Sequence, residues 1–396
     1  MSREAPAIRR EKGCGSMTSE THPLVRPCIL DCRPYVAGRP RKSVQEMLGR
    51  DDVIKLASNE NPLGPSPLAL EAVTRAAREM HYYPDDASTE LRERLSTYWG
   101  LPPQSFLVGN GSMQILELIC KTFVNDGEEV ISGHPSFRVF DGLVRAAGGH
   151  WRGVPLRDHV HDLEAMSAAI GHATKIVIVC NPNNPTGTVV APSALRDFVA
   201  GFPSDRLLVL DEAYAEYCEE GAIPDFRELL EMCPNLLVLR SFSKAYGLAG
   251  ARCGYAVGSI ALINLLERAR MPFVANALAL AGAQAALDDV DFLERSRRNN
   301  QEGLARMREG LRALGLQALE TQTNFLAVRV GSNDLRYFEE MLQEGVIVFP
   351  GTNTDFRGWV RVTVGTPPQV ERFLQATARV LERARHEIEA EPALQG

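Results

Sequence analysis

From Ser66 onward the chain alternates amphipathic segments with short apolar runs rich in β-branched residues. PSPLALEAVTRAAREM spaces its apolar positions at helical intervals behind Pro67, and STELRERLSTYW repeats the device with Ser88 placed to cap it. QILELICKTF reads as another helix. Phe106-Leu107-Val108, EEVISG, TKIVIVC, RLLVLDEAY and LLVLRSFSK read as strands that end in small or polar residues where loops begin. This alternation predicts an α/β protein with a largely parallel sheet. The last third differs: a long charged helix over Phe292–Leu314, then TNFLAVRV, a helix from Asn333, VIVFPG, WVRVTVGT and a closing helix to about residue 390. That order suggests a smaller α+β domain.

Composition narrows the class. With 396 residues, 45% hydrophobic and 23% charged, the chain can bury a large core and is long enough for two domains. A net charge of -7 excludes a protein that lives on nucleic-acid phosphates, though local arginines can still hold small anions. The eight cysteines form no Cys-x-x-Cys pair and have no His-x-x-x-His nearby, so no metal is expected; buried thiols in a reducing cytoplasm fit them. Arg3, Arg9, Arg10 and Lys12 precede no apolar run, so a signal peptide is not expected, and Met17 could equally be the start. Residues 1–24 are expected to be a flexible extension. Met271–Leu287 is uncharged but holds Pro272, Asn276 and Gln284, which predicts a buried helix rather than a membrane span.

In open α/β sheets ligands bind beyond the carboxyl ends of strands. Four such endings carry chemistry. Lys244 sits in SFSKAYGLAGARCG, where a Schiff-base lysine would find a buried perch and where Ser241, Ser243 and Arg252 offer hydroxyls and a cation for a phosphate. Asp211 ends an apolar strand; an aspartate there is commonly a turn residue, but one aimed into a cleft would keep a pyridine nitrogen protonated. Tyr214 could reach a cofactor hydroxyl or simply pack a helix. In NPNNPTG the two prolines stiffen a turn that presents Asn184. GNGS (109–112) opens a helix, where Gly111, Ser112 and Met113 would offer N–H groups to a phosphate.

Together these motifs resemble the fold-type-I pyridoxal-phosphate aminotransferases, from about Tyr35 to the C-terminal helix. The likeness is greatest to the histidinol-phosphate aminotransferase family, through PYVAGRP (34–40), KLASNENPLGPSP (55–67), YPD (83–85), NPNNPTG (181–187), DEAY (211–214), SFSKAYGLAGARCGY (241–255), TNF (323–325) and VRVTVGT (360–366). The resemblance implies a large domain over 59–285 with a mostly parallel seven-stranded sheet, and a small domain joining 25–58 to 286–396. It implies pyridoxal 5'-phosphate as cofactor. Lys244 would carry its aldehyde and shuttle the substrate proton, Asp211 would pair with the ring nitrogen, and Asn184 and Tyr214 would contact the ring 3'-oxygen. Phe137 would lie on the ring face, and Gly111, Ser112, Met113, Ser241, Ser243 and Arg252 would hold the phosphate. Tyr35, Asn61, Asn324, Phe349 and Arg361 would meet the substrate, with Arg361 taking its anion. A homodimer with shared active sites is implied, with crossing contacts from the segment that holds Asn61 and Tyr83; a small-molecule amino donor and a 2-oxo acid are the expected partners.

Two positions depart from the family's pattern. Phe137 stands where tyrosine is frequent, and Phe349 where a second anion-binding arginine is usual. Tyr35, Asn61 and other residues still fit the family, and a phosphate could recruit another donor, so the first substrate expected is histidinol phosphate with 2-oxoglutarate, closely followed by an aromatic or other amino acid held through Arg361 alone. A decarboxylase or lyase using the same cofactor site, and a non-catalytic ligand sensor, are the readings from other classes.

Overall fold

A computed structural model describes residues 25–389. The expected N-terminal extension, 1–24, lies outside the described residues.

Seven strands form one sheet in the order Phe106–Gly109, Gly254–Gly258, Leu236–Ser241, Leu207–Asp211, Thr174–Cys180, Glu129–His134, His150–Pro155. All run parallel except Gly254–Gly258, which is antiparallel to both neighbours. The alternation of side chains explains why the central strands are apolar throughout: Leu208 and Leu210 enter the core on one face, Leu207 and Val209 the core on the other. Helices cover both faces, so the carboxyl end of Leu207–Asp211 is the place where this strand can meet a ligand.

A second, antiparallel sheet has the order Phe349–Pro350, Trp359–Thr363, Phe325–Arg329, Gln317–Ala318. It packs on the helices Asp334–Gln343 and Pro367–Glu389 through a core that includes Val328, Val362, Tyr337 and Phe373. The early residues Ile54–Lys55 pair in parallel with Val346–Ile347. VIVFPG is thus two strands rather than one, with Val348 at the switch between partners. The 24-residue helix Val290–Ala313 follows the Ala277–Asp288 helix and leads into the second sheet.

Other departures from the sequence reading have local causes. Ser88 precedes the Thr89–Trp99 helix but adopts a left-handed conformation and makes no side-chain cap; the Asp85 carboxylate accepts the Thr89 and Ala87 N–H groups instead. The apolar stretch from Met271 becomes helical only at Ala277, where the Asn276 side chain accepts the Ala279 N–H, and Met271 and Phe273 are exposed. Cys28, Cys32 and Cys218 are half-buried, while Cys120, Cys180, Cys233 and Cys253 are buried; all seven are free thiols. Among the described residues no helix is long and apolar enough to cross a membrane.

Candidate active site

The strands Thr174–Cys180, Leu207–Asp211 and Leu236–Ser241 end at one cavity of about 190 Å³. Lys244 reaches it from the loop after the third of these, its Nζ donating to the Ser58 carbonyl at 3.3 Å and lying 5.5 Å from the centre of the Tyr214 ring. Burial, with help from the cations Arg361 and Arg252, pushes the lysine down to about 7, so near neutral pH a large share of it is the free amine. Asp211 faces the same space. Burial pushes its carboxyl up to about 6, against the pull of the Ala213 N–H at 3.2 Å and of Lys244. Such a carboxylate gains most from a cationic hydrogen-bond donor brought in by a ligand.

Beside Asp211 the Tyr214 phenol accepts from Asn59 Nδ2 at 2.8 Å. Burial raises its pKa, partly offset by Arg361 and Asn59. Asn184, set by the two-proline turn, lines the cavity and accepts Arg361 Nη1 at 2.5 Å. Arg361 comes from the Trp359–Thr363 strand of the second sheet, and its Nη2 donates to the Ala57 carbonyl at 2.7 Å. Phe349, its cross-strand partner, places its ring 4.7 Å from the guanidinium carbon, with Phe325 at 5.5 Å. Tyr35, Phe349 and Phe137 supply apolar wall, and Phe137 packs edge-on to Phe140.

One end of the cavity suits a phosphate. The Ser112–Phe123 helix starts there, and Ser112 and Met113 line the cavity with first-turn N–H groups that have no place in the helical ladder. Ser243 Oγ accepts Arg252 Nη1 at 3.2 Å, and Ser241 Oγ accepts the Ser243 N–H at 3.1 Å. Gly111 does not line the cavity, but it holds this cradle open: its φ is 83°, and a Cβ there would fall 2.2 Å from Arg252 Nη2. Three kinds of donor therefore converge where a dianion is expected, and the buried Asp211 carboxylate awaits a cation beyond. These residues fit a phosphorylated pyridine aldehyde.

Two expected substrate contacts are not cavity residues. Asn61 spends its amide on the Ala245 carbonyl and Ser296 Oγ, and its oxygen on the Leu63 N–H, so it ties the loop to the Val290–Ala313 helix. Asn324 is buried behind the site and donates to the Asn59 carbonyl. Asn59, two residues before Asn61, occupies the cavity wall instead. Its left-handed backbone, with φ of 56°, is one that asparagine tolerates, and Thr363 Oγ1 both accepts its N–H and donates to its side-chain oxygen. Asn61 shares that tolerance, so nothing in SNEN itself singles out Asn59.

Residues 51–376 match the model of the family described as aminotransferase class I and II. Histidinol-phosphate aminotransferase 2 of Pseudomonas aeruginosa is 44% identical over 90% of this chain and 98% of its own length. The histidinol-phosphate aminotransferase of Moorella thermoacetica is 41% identical over 91% and 94%. Among solved structures, the histidinol-phosphate aminotransferase of Sinorhizobium meliloti in complex with pyridoxal-5'-phosphate superposes with a TM-score of 0.84 at 28% identity, covering 91% of this chain and 98% of that one. With a fold-type-I architecture around a lysine, an aspartate and a phosphate cradle, the chain belongs to the class I and II aminotransferases and uses pyridoxal 5'-phosphate.

Proposed function

We propose that this aminotransferase exchanges the amino group of histidinol phosphate with 2-oxoglutarate, giving imidazole-acetol phosphate and glutamate in histidine biosynthesis. The names of its relatives support the substrate, and the observation that carries it is the buried Arg361 fork. Of the five guanidinium N–H groups two are taken by Asn184 and Ala57, and Nε–H is buried without a partner. One N–H on each terminal nitrogen remains for an anion.

The bound cofactor supplies an electron sink that makes the substrate Cα–H acidic. Lys244 Nζ, neutral for much of the time near pH 7, takes that proton and returns it on the other side of the transfer. Asp211 would hold the ring nitrogen in its protonated form, Tyr214 and Asn184 would orient the 3'-oxygen, Phe137 would cover one ring face, and Ser112, Met113, Ser241, Ser243 and Arg252 would grip the phosphate. Residues 59–285 would form the cofactor domain, and 25–58 with 286–396 the small domain, in keeping with the pairing of Ile54–Lys55 to Val346–Ile347. A cytoplasmic homodimer with shared active sites is the assembly we expect; Tyr83, 80% exposed and stacked on the exposed Phe273, suits such a contact.

A second reading is favoured by Phe349: its ring on Arg361 gives an apolar anion site suited to the single carboxylate of an aromatic amino acid. Steady-state assays with 2-oxoglutarate decide. The first reading expects kcat/KM for histidinol phosphate to exceed those for phenylalanine, tyrosine and histidine by at least about tenfold, a gap near 1.4 kcal/mol. The reverse order would remove it.

A further inference from the structure

Beyond Phe137 and Phe349 a narrow cleft is walled by Tyr35, Phe137, Arg138, Asn184, Phe349 and Arg361. Among the described residues lining it, the two guanidiniums of Arg138 and Arg361 are the only charged groups, and no carboxylate opposes them. They come from different elements of the fold. Arg361 is fixed in the antiparallel sheet, whereas Arg138 stands at the start of the Val139–Ala147 helix. Arg138 Nη1 donates to the Asn353 carbonyl at 2.8 Å, which anchors a half-buried side chain, and among the described residues no carboxylate pairs with its other N–H groups. Arg138 also lines a larger outer cavity together with Asp31, Asp141 and Asp355; there Asp141 pairs with Arg145, and among the described residues none of the three carboxylates pairs with Arg138. Two like charges sharing a small cleft repel, and an anion of two charges between them removes that repulsion. Phe349 contributes only apolar surface, so a second donor set must come from elsewhere, and Arg138 is the cation placed to provide it.

We propose that Arg138 is a specificity-determining residue of this enzyme: together with Arg361 it holds the phosphate monoester of the amino donor from two sides. This rests on the phosphate-bearing substrate proposed above. The test compares kcat/KM for histidinol phosphate, histidinol and glutamate in the wild-type holoenzyme, Arg138→Gln and Arg138→Lys, with cofactor absorbance and thermal melting as folding controls. The expected result is a loss of about ten- to a hundredfold in the ratio of histidinol phosphate to histidinol for Arg138→Gln, partial recovery for Arg138→Lys, and an unchanged rate with glutamate. An unchanged ratio in Arg138→Gln, with the wild type still favouring the phosphate, overturns the role of Arg138 and leaves the substrate standing. A fall with glutamate as large as that with histidinol phosphate also overturns it, because Arg138 would then read a second carboxylate. If the wild type does not favour the phosphorylated donor, the substrate reading fails, and inhibition by inorganic phosphate against the preferred donor decides separately. Competitive inhibition that Arg138→Gln abolishes would support the dianion site, and inhibition that is absent or insensitive to the substitution would overturn it.

Discussion

Replacing Arg361 by lysine keeps the charge and changes only the number and direction of donors, so the loss can be counted. Arginine spends one N–H on Asn184 Oδ1 and one on the Ala57 carbonyl, and keeps one on each terminal nitrogen for the ligand. A lysine has three donors. If it serves the same two protein acceptors, which are buried and costly to abandon, it keeps one for the substrate. The difference is one charge-assisted hydrogen bond, about 1.5–3 kcal/mol, or about ten- to somewhat over a hundredfold in kcat/KM for an anionic substrate. The assay is the amino-donor half-reaction under single-turnover conditions, followed by the cofactor's absorbance, with histidinol phosphate and with histidinol. Arg361→Lys should bind cofactor normally, lose rate with the phosphate and change little with the alcohol. Equal losses on both substrates would refute the donor count, because they would place the damage in the fold or the cofactor site rather than at the anion.

Two further expectations follow from the same geometry. Only the neutral amine of Lys244 can capture a cofactor aldehyde, and burial lowers this group from 10.5 to about 7; uptake of pyridoxal phosphate by apoenzyme should therefore rise about tenfold per pH unit below about 7 and level off above it, and a rise continuing past pH 9 would contradict the depressed value. Asn59→Ala and Tyr214→Phe remove the two ends of one buried hydrogen bond, so a double-mutant cycle in urea denaturation should show a coupling of about 1 kcal/mol, and a coupling near zero would mean the two side chains act independently.

The strands that carry Asp211 and the Lys244 loop were legible because both faces of the sheet are covered, which forces unbroken apolar runs. His150–Pro155 was not, because it is an edge strand with exposed alternate residues. Gly254–Gly258 was hidden by its two glycines and its place directly after the lysine motif, although its residues are fully buried. At the site, motif residues far apart in the chain, such as Asn184, Arg252 and Arg361, line one cavity. The failures were matters of orientation: SNEN offers two asparagines two positions apart, and only the backbone twist at Asn59 decides which one faces the cavity. Composition and spacing carry no information on a left-handed residue stabilised by a threonine near the other end of the chain. Arg138 escaped notice for a similar reason, since its significance depends on which side chain of a remote sheet shares its cleft.

The hydrogen bonds from Arg361 to the Ala57 carbonyl and from the Asn59 N–H to Thr363 each span 304 residues. During synthesis, a chain released from the ribosome only as far as residue 350 would already hold Lys244, Asp211 and Arg252, yet the wall they face would lack its closing strand. Ligand bound to the finished cavity favours the native state by mass action, and that stabilisation is denied to a fragment lacking either the Ala57–Asn59 segment or the strand that carries Arg361 and Thr363. Occupancy of the site thereby reports on whether both of these segments are present, and cofactor supply is expected to raise the resistance of such chains to proteolysis.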